Sequence, residues 1–166
     1  MLKAFIPQVK TIEKRYNKVY PEIEFKLKFD GCSKNNPGMG GAGYCIYRND
    51  NEVCVGSVFL GKNVTNNYAE YSALLLGLQK AKDIGIKSLI VEGDSLLVIN
   101  QMTDKNVCKS KNLTIIYKEA KELVKEFEEI YFHHIYRDDN SRADELCNNA
   151  VTEYLKKNSK KCIVHN

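Results

Sequence analysis

Four carboxylates in this 166-residue chain stand where the pattern of the sequence changes. Asp30 closes an alternating run, Glu70 lies in the first turn of a helical stretch, Asp94 follows a short apolar run, and Asp144 opens the last helical stretch. Each has an ordinary structural explanation. Asp30-Gly31 suits a turn, Asn67 to Glu70 has the outline of a capping box, and Asp94 and the Ser141 to Asp144 segment suit helix caps. The chemistry emerges from the set. If the runs ending at Asp30 and before Asp94 are parallel neighbours, both acids leave one sheet edge side by side. Helix starts packed on that edge would bring Glu70 and Asp144 to the same point. Four carboxylates in one place repel one another. Two divalent cations would balance them, and oxygen-only donors suit Mg²⁺ or Mn²⁺ better than zinc. A pair of such ions can activate water and stabilise the leaving oxygen of an in-line phosphoryl displacement.

The elements that must position these acids follow from periodicity. Ile23, Phe25, Leu27 and Phe29 alternate with polar residues, which predicts a half-buried strand ending at Asp30-Gly31. A glycine-rich turn is expected next, the glycines at 38–43 letting the backbone swing into a second strand over 42–48. A third strand is read over 52–60, so the three form an antiparallel meander. Residues 68–83 predict a helix that Gly85 stops. Then come a strand over 87–92, a helix over 94–102, a polar loop over 103–111, an amphipathic helix over 113–129, a strand over 130–136 and a helix over 143–157. The predicted architecture is a five-stranded mixed sheet, three antiparallel strands and then two parallel ones, with helices on both faces.

Charge is unevenly placed. Lys3, Lys10, Lys14, Arg15 and Lys18 make residues 1–20 basic, and four lysines do the same for 156–166. Those nine bases leave 16 bases against 20 acids in residues 21–155, so the middle is acidic. A protein gripping phosphates by bulk charge alone would look different, and holding metal would explain the central acidity. Three regions are read: a basic arm over 1–20, a catalytic domain over 21–157 and a basic tail over 158–166. In the arm, Ile6, Val9, Ile12, Tyr16 and Tyr20 recur at near-helical spacing up to the break at Tyr20-Pro21. No apolar run is long enough to span a bilayer, and no signal-peptide pattern is present. The six cysteines show no zinc spacing and are read as free thiols of a reducing compartment, cytoplasmic or nuclear, with a mitochondrial arm a lesser reading.

The motifs resemble those of type 1 ribonuclease H. Asp30-Gly31-Cys32-Ser33-Lys34-Asn35-Asn36-Pro37-Gly38 is similar to that family's first-strand signature. Thr65-Asn66-Asn67 leading to Glu70 is similar to its helix start, Glu92-Gly93-Asp94-Ser95 to its Asp-Ser step, and Asn140 through Ala143-Asp144 to its closing segment. The four lie in family order over about 120 residues. The resemblance implies a ribonuclease H-like fold and an endonuclease that hydrolyses the RNA strand of an RNA–DNA hybrid and leaves 5′-phosphate and 3′-hydroxyl ends. It implies two Mg²⁺, with Mn²⁺ as an alternative, held by Asp30, Glu70, Asp94 and Asp144. It also implies that Asn36, Asn66 and Asn67 read the hybrid's minor groove and that Thr65 contacts a DNA phosphate. An amide can donate to and accept from the 2′-hydroxyl that marks RNA. The protein is expected to act as a monomer without a membrane partner.

The sequence departs from the family in two places. His134 lies ten residues before Asp144, but it alternates with Phe132 and Tyr136 and is read as a strand residue. The family's histidine loop is therefore shortened, which resembles the short-loop branch, and Arg137 is placed to substitute as a phosphate contact. The link over 103–111 is too short for a basic protrusion. Three other readings compete. A non-catalytic binding module of the same fold is disfavoured by the presence of all four acids. A changed target, double-stranded RNA or strand transfer on DNA, is disfavoured by the Thr-Asn-Asn segment. The glycines at 38, 40 and 43 match a dinucleotide fingerprint in form but precede a strand rather than a helix.

Overall fold

A computed structural model describes residues 8–11 and 23–161. The strands are β1 (Gln8–Thr11), β2 (Phe25–Lys34), β3 (Gly38–Arg48), β4 (Asn51–Val64), β5 (Ser88–Gly93) and β6 (Glu129–His134). The helices are α1 (Asn66–Asp83), α2 (Leu96–Met102), α3 (Lys111–Val124) and α4 (Ser141–Lys161), with a 3₁₀ turn over Arg137–Asn140. The sheet order is β1-β6-β5-β2-β3-β4. β2, β3 and β4 form the antiparallel meander, and β5 and β6 add to β2 in parallel. This is the mixed sheet expected from the sequence, with one further strand at its edge.

That strand, β1, pairs in parallel with β6, from Gln8 opposite Glu129 to Thr11 opposite Phe132. The spacing of the arm suggested a helix, but here the backbone is extended. The exposed ladder of β6 offers main-chain partners that no side-chain periodicity reveals. The rest of the basic arm, the Tyr20-Pro21 break and residues 162–166 of the basic tail lie outside the described residues. Residues 158–161 of that tail continue α4.

The two faces are packed differently. Leu27 and Phe29 of β2, Val91 of β5 and Phe132 of β6 point to one face, where α1 and α3 cover them with Tyr71, Leu74, Leu78, Ile116 and Val124. The buried Tyr71 hydroxyl donates to Gln101 Oε1 at 2.6 Å, tying α1 to α2. Each large apolar side chain buried here contributes about 1.5–3 kcal/mol. On the other face α4 packs on β2, β3 and β4 through the smaller cluster of Cys45, Ala143 and Leu146.

Two predicted boundaries move, for one reason. β2 does not end at Asp30-Gly31 but continues to Lys34, and the glycines at 38–43 lie inside β3 instead of forming a turn. The turn is shorter, over 35–37, with Asn35 at φ 72°. The strand glycines make room for a helix. A Cβ on Gly41 would stand 2.1 Å from the Cys147 carbonyl oxygen, and one on Gly43 would stand 2.5 Å from that of Ala143. Gly41→Ala is therefore expected to push α4 off the sheet, costing about 1–3 kcal/mol and several degrees of melting temperature. A melt indistinguishable from wild type would show that α4 is not seated this closely.

Candidate active site

Parallel register puts the first two acids together. Phe29 of β2 is opposite Gly93 of β5, so the next residues, Asp30 and Asp94, lie side by side at the carboxyl ends of neighbouring strands. α1 supplies the third. Its N-cap is Thr65, whose Oγ1 accepts from the Tyr68 N–H at 3.3 Å, so the helix starts earlier than predicted and Glu70 opens its second turn. Gly31 lets the α1 backbone rest directly on β2, since a Cβ there would lie 2.1 Å from the Ala69 carbonyl carbon. The cap of α2 is Ser95, which leaves Asp94 outside the helix and facing the cleft.

The fourth acid comes from α4. Arg142 fixes the start of that helix by donating from Nε and Nη2 to the two oxygens of Glu52 on β4, at 2.9 and 3.1 Å. Ser57 donates to the Leu146 carbonyl at 2.6 Å. Asp144 thus stands beside Asp30. One carboxylate oxygen each from Asp30, Glu70 and Asp94 falls within a common 4.8 Å, and Asp30, Asp144 and the Cys147 sulfur form a second such set. Asp30 belongs to both.

The electrostatics of this cluster are those of carboxylates crowded together under burial. Asp30 is only 5% exposed. Burial, and then the neighbouring Asp94, push its carboxyl up to about 7. Burial, and then Asp30, raise Glu70 well above the ordinary carboxylate range. Glu70 Oε2 is buried with no hydrogen-bond partner. An orphaned buried carboxylate oxygen is costly unless something fills the position opposite it. The donor set is therefore suited to hard divalent cations, with Asp30, Glu70, Asp94 and Asp144 the residues that would hold them.

The other predicted residues have distinct placements. Asn36 Oδ1 accepts from the Asn66 N–H at 2.9 Å, and Asn66 Oδ1 accepts from the Ser33 N–H at 2.8 Å. These amides staple the 35–37 turn to the start of α1. Asn66 and Asn67 line the cleft and are exposed, whereas Asn36 and Thr65 are exposed at its margin. Arg137, also exposed, reaches Asp144 at 3.6 Å. His134 ends β6, as read from its alternation, yet it also lines the cleft, its Nε2 lying 3.2 Å from the Asp94 carbonyl oxygen.

Three side chains at the site were not assigned roles from the sequence. Asn140 is fully buried and donates from Nδ2 to the Phe29 carbonyl at 2.9 Å and to Asp94 Oδ1 at 3.4 Å, joining β2 to Asp94. Cys147, also fully buried, places its sulfur 3.6 Å from Asp30 Oδ2. The neighbouring Cys147 thiol holds that of Cys32 down at about 7. The available signal was spacing: Cys32 is two residues from Asp30 on a strand, and Cys147 three from Asp144 on a helix.

The cleft lined by Asp30, Glu70, Asp94 and Asp144 has a volume of about 540 Å³. Residues 28–150 match the reverse transcriptase-like family. The chain is 35% identical over 126 residues to the ribonuclease HI of Halobacterium salinarum, covering 75% of this chain and 63% of that protein. It is 33% identical over 127 residues to the bifunctional protein Rv2228c of Mycobacterium tuberculosis, covering 75% of this chain and 35% of that one. The match thus spans less than two thirds of either curated relative. Among solved structures, the H. salinarum RNase H1 superposes with a TM-score of 0.75 at 35% identity, over 78% of this chain and 98% of that one. LC11-RNase H1, from compost, solved in complex with an RNA/DNA hybrid, gives 0.74 at 31% identity, over 79% and 99%.

Proposed function

Because the chain belongs to the reverse transcriptase-like family, in company with the type 1 ribonucleases H, we propose that it is an endonuclease hydrolysing the RNA strand of RNA–DNA hybrids. The observation that carries this reading is the convergence of three carboxylates, from α1, α4 and the end of β5, on Asp30 of β2. Two Mg²⁺, with Mn²⁺ as an alternative, are the cofactors proposed for them. When bound, divalent ions supply Lewis acidity at the scissile phosphate and a lowered pKa for water.

The chain's own groups do the rest. Asp30 is shared between the two donor sets and holds them in register. Asn140 fixes the Asp94 carboxylate to the β2 backbone, so one wall of the site is rigid. Asn67, with Asn66, presents an amide at the mouth of the cleft, where a 2′-hydroxyl can be both donor and acceptor. Asn36, whose Oδ1 accepts from the Asn66 backbone N–H, anchors the start of the helix that carries these residues and stands beside them to contact the minor groove. Arg137 offers a cation to a phosphate near Asp144, and Thr65 a hydroxyl to a DNA phosphate. The expected products carry 5′-phosphate and 3′-hydroxyl ends. The catalytic unit is placed in residues 21–157, with the basic ends as grips on the hybrid, in a monomer of a reducing, cytoplasmic or nuclear compartment.

The direct test is a labelled hybrid of about 20 base pairs incubated with Mg²⁺, Mn²⁺ or EDTA, beside matched RNA and DNA duplexes. Metal-dependent cutting of the RNA strand of the hybrid alone is expected. A hybrid that is bound but stays intact with every metal would assign the fold to binding instead. Asn67→Ala is expected to reduce the preference for hybrid over DNA duplex roughly tenfold, one good hydrogen bond's worth, with little change in melting temperature. A loss of stability with unchanged selectivity would make Asn67 a helix-start residue only.

A further inference from the structure

We propose that Cys147, together with Asp30, Asp144 and Cys32, forms a thiol–carboxylate site for a thiophilic divalent cation, Zn²⁺ in the cell and Cd²⁺ as its probe. The residues come as two pairs on facing elements. Asp30 and Cys32 are two apart on β2 and share a strand face. Asp144 and Cys147 are three apart on α4 and share a helix face. Gly41, opposite Cys32 on β3, lies under the Cys147 carbonyl and lets α4 descend far enough for the pairs to meet.

The surroundings of the Cys147 sulfur point to a cation. It lies 3.1 Å from the Asp144 carbonyl oxygen and 3.6 Å from Asp30 Oδ2, while Asn148 Nδ2 donates to it at 3.8 Å. One S–H proton cannot serve both of these acceptors fully at once. A metal replacing that proton, which passes to water, would bind the sulfur and the carboxylates together. The sulfur and one oxygen each from Asp30 and Asp144 already lie within 4.8 Å of one another. Tetrahedral Zn²⁺ bonds to sulfur at about 2.3 Å and to carboxylate oxygen at about 2.0–2.2 Å, so its ligands sit about 3.5 Å apart. Small rotamer changes close that difference. Oxygen donors alone would suit Mg²⁺, whereas a thiolate among them tips the preference to zinc.

Asp30 is also a member of the set with Glu70 and Asp94. An ion held by Cys147 therefore takes two ligands, Asp30 and Asp144, from the hydrolytic centre, so Zn²⁺ would inhibit in the presence of Mg²⁺, reversibly by chelation. The inhibition rests on the proposed function, whereas the metal site does not.

The experiment titrates Cd²⁺ into the reduced, metal-stripped full chain and follows the ultraviolet thiolate-to-cadmium charge-transfer band. Wild type is expected to saturate at one equivalent. Cys147→Ser should bind at least tenfold more weakly, and Cys32→Ser should keep binding with a weaker band. A wild type no tighter than Cys147→Ser would overturn the site and leave the signal to the remaining cysteines. If Cys147→Ser does not fold, Cd²⁺ should protect Cys147 of wild type from alkylation, read by peptide mass, and its absence would overturn the site equally. In a second arm, Zn²⁺ at fixed Mg²⁺ should half-inhibit hybrid cleavage at a tenfold lower concentration in wild type than in Cys147→Ser. Equal sensitivity would overturn the inhibition. A wild type that binds Cd²⁺ through Cys147 but cleaves nothing would uphold the site and reject the proposed activity.

Discussion

Asp30→Asn should cleave RNA–DNA hybrid on the order of 10³-fold more slowly than wild type, or worse, while still binding it. That factor corresponds to about 4 kcal/mol of transition-state stabilisation. The substitution keeps the shape of the side chain and removes a single negative charge, but from the one acid common to both donor sets. No other acid can replace it, because Glu70 and Asp144 approach from opposite faces of the sheet and meet only at Asp30. Hybrid binding should survive because Asn66, Asn67 and Arg137 are untouched. The folded protein should not suffer either, since a buried carboxyl pushed up to about 7 is a strained group whose neutral replacement relieves repulsion. Single-turnover cleavage and a binding titration, read beside a melt, separate these effects. Activity within tenfold of wild type would remove Asp30 from the chemistry.

The second large effect is on stability. In EDTA, the wild-type protein is expected to lose stability through the site as pH rises from about 4 through about 7. The Asp30 carboxyl ordinarily titrates near 3.8 and is raised to about 7 in the folded state. Over that window the folded state holds a proton that the unfolded state has released, so rising pH favours unfolding. The shift sets a ceiling of about 4 kcal/mol on this contribution. Glu70, raised in the same direction, adds to it. Glu92 acts with the opposite sign. Its burial opposes ionisation, but the His133 hydrogen bond and the charges of Lys26 and Lys28 hold it low, and that contribution is lost as pH falls. The comparison that isolates the site is therefore wild type against Asp30→Asn. Between pH 5 and pH 8 in EDTA, the wild-type melting temperature should fall relative to that of the variant by several degrees. Mg²⁺ should restore wild type at pH 8 and have little effect at pH 5, where the proton already occupies the site. A pH dependence identical in both proteins would mean that the cluster is less strained than its burial indicates.

Much of this protein was legible along the chain. The alternation of Phe25, Leu27 and Phe29 against lysines marks a strand with one buried face, and the composition of 68–83 marks a helix, because both depend on residues within a few positions of each other. The positions of Asp30, Glu70, Asp94 and Asp144 at changes of pattern, in the order of a known family, were enough to expect a common site. Local rules placed the ends less well. They stopped β2 at Asp30-Gly31 and read the glycines at 38–43 as a turn, because within a short window a glycine signals flexibility. Tertiary structure reverses that meaning: Gly41 and Gly43 are small because α4, about a hundred residues later, rests on them. The same distance hid Cys147 beside Asp30, the role of Asn140 as a tie between β2 and Asp94, and the pairing of β1 with β6. The sequence by itself determined which groups could do chemistry and which elements would carry them. Which groups touch, and how far burial shifts their charge, only the packed sheet and helices decided, because contact and desolvation depend on residues distant in the chain.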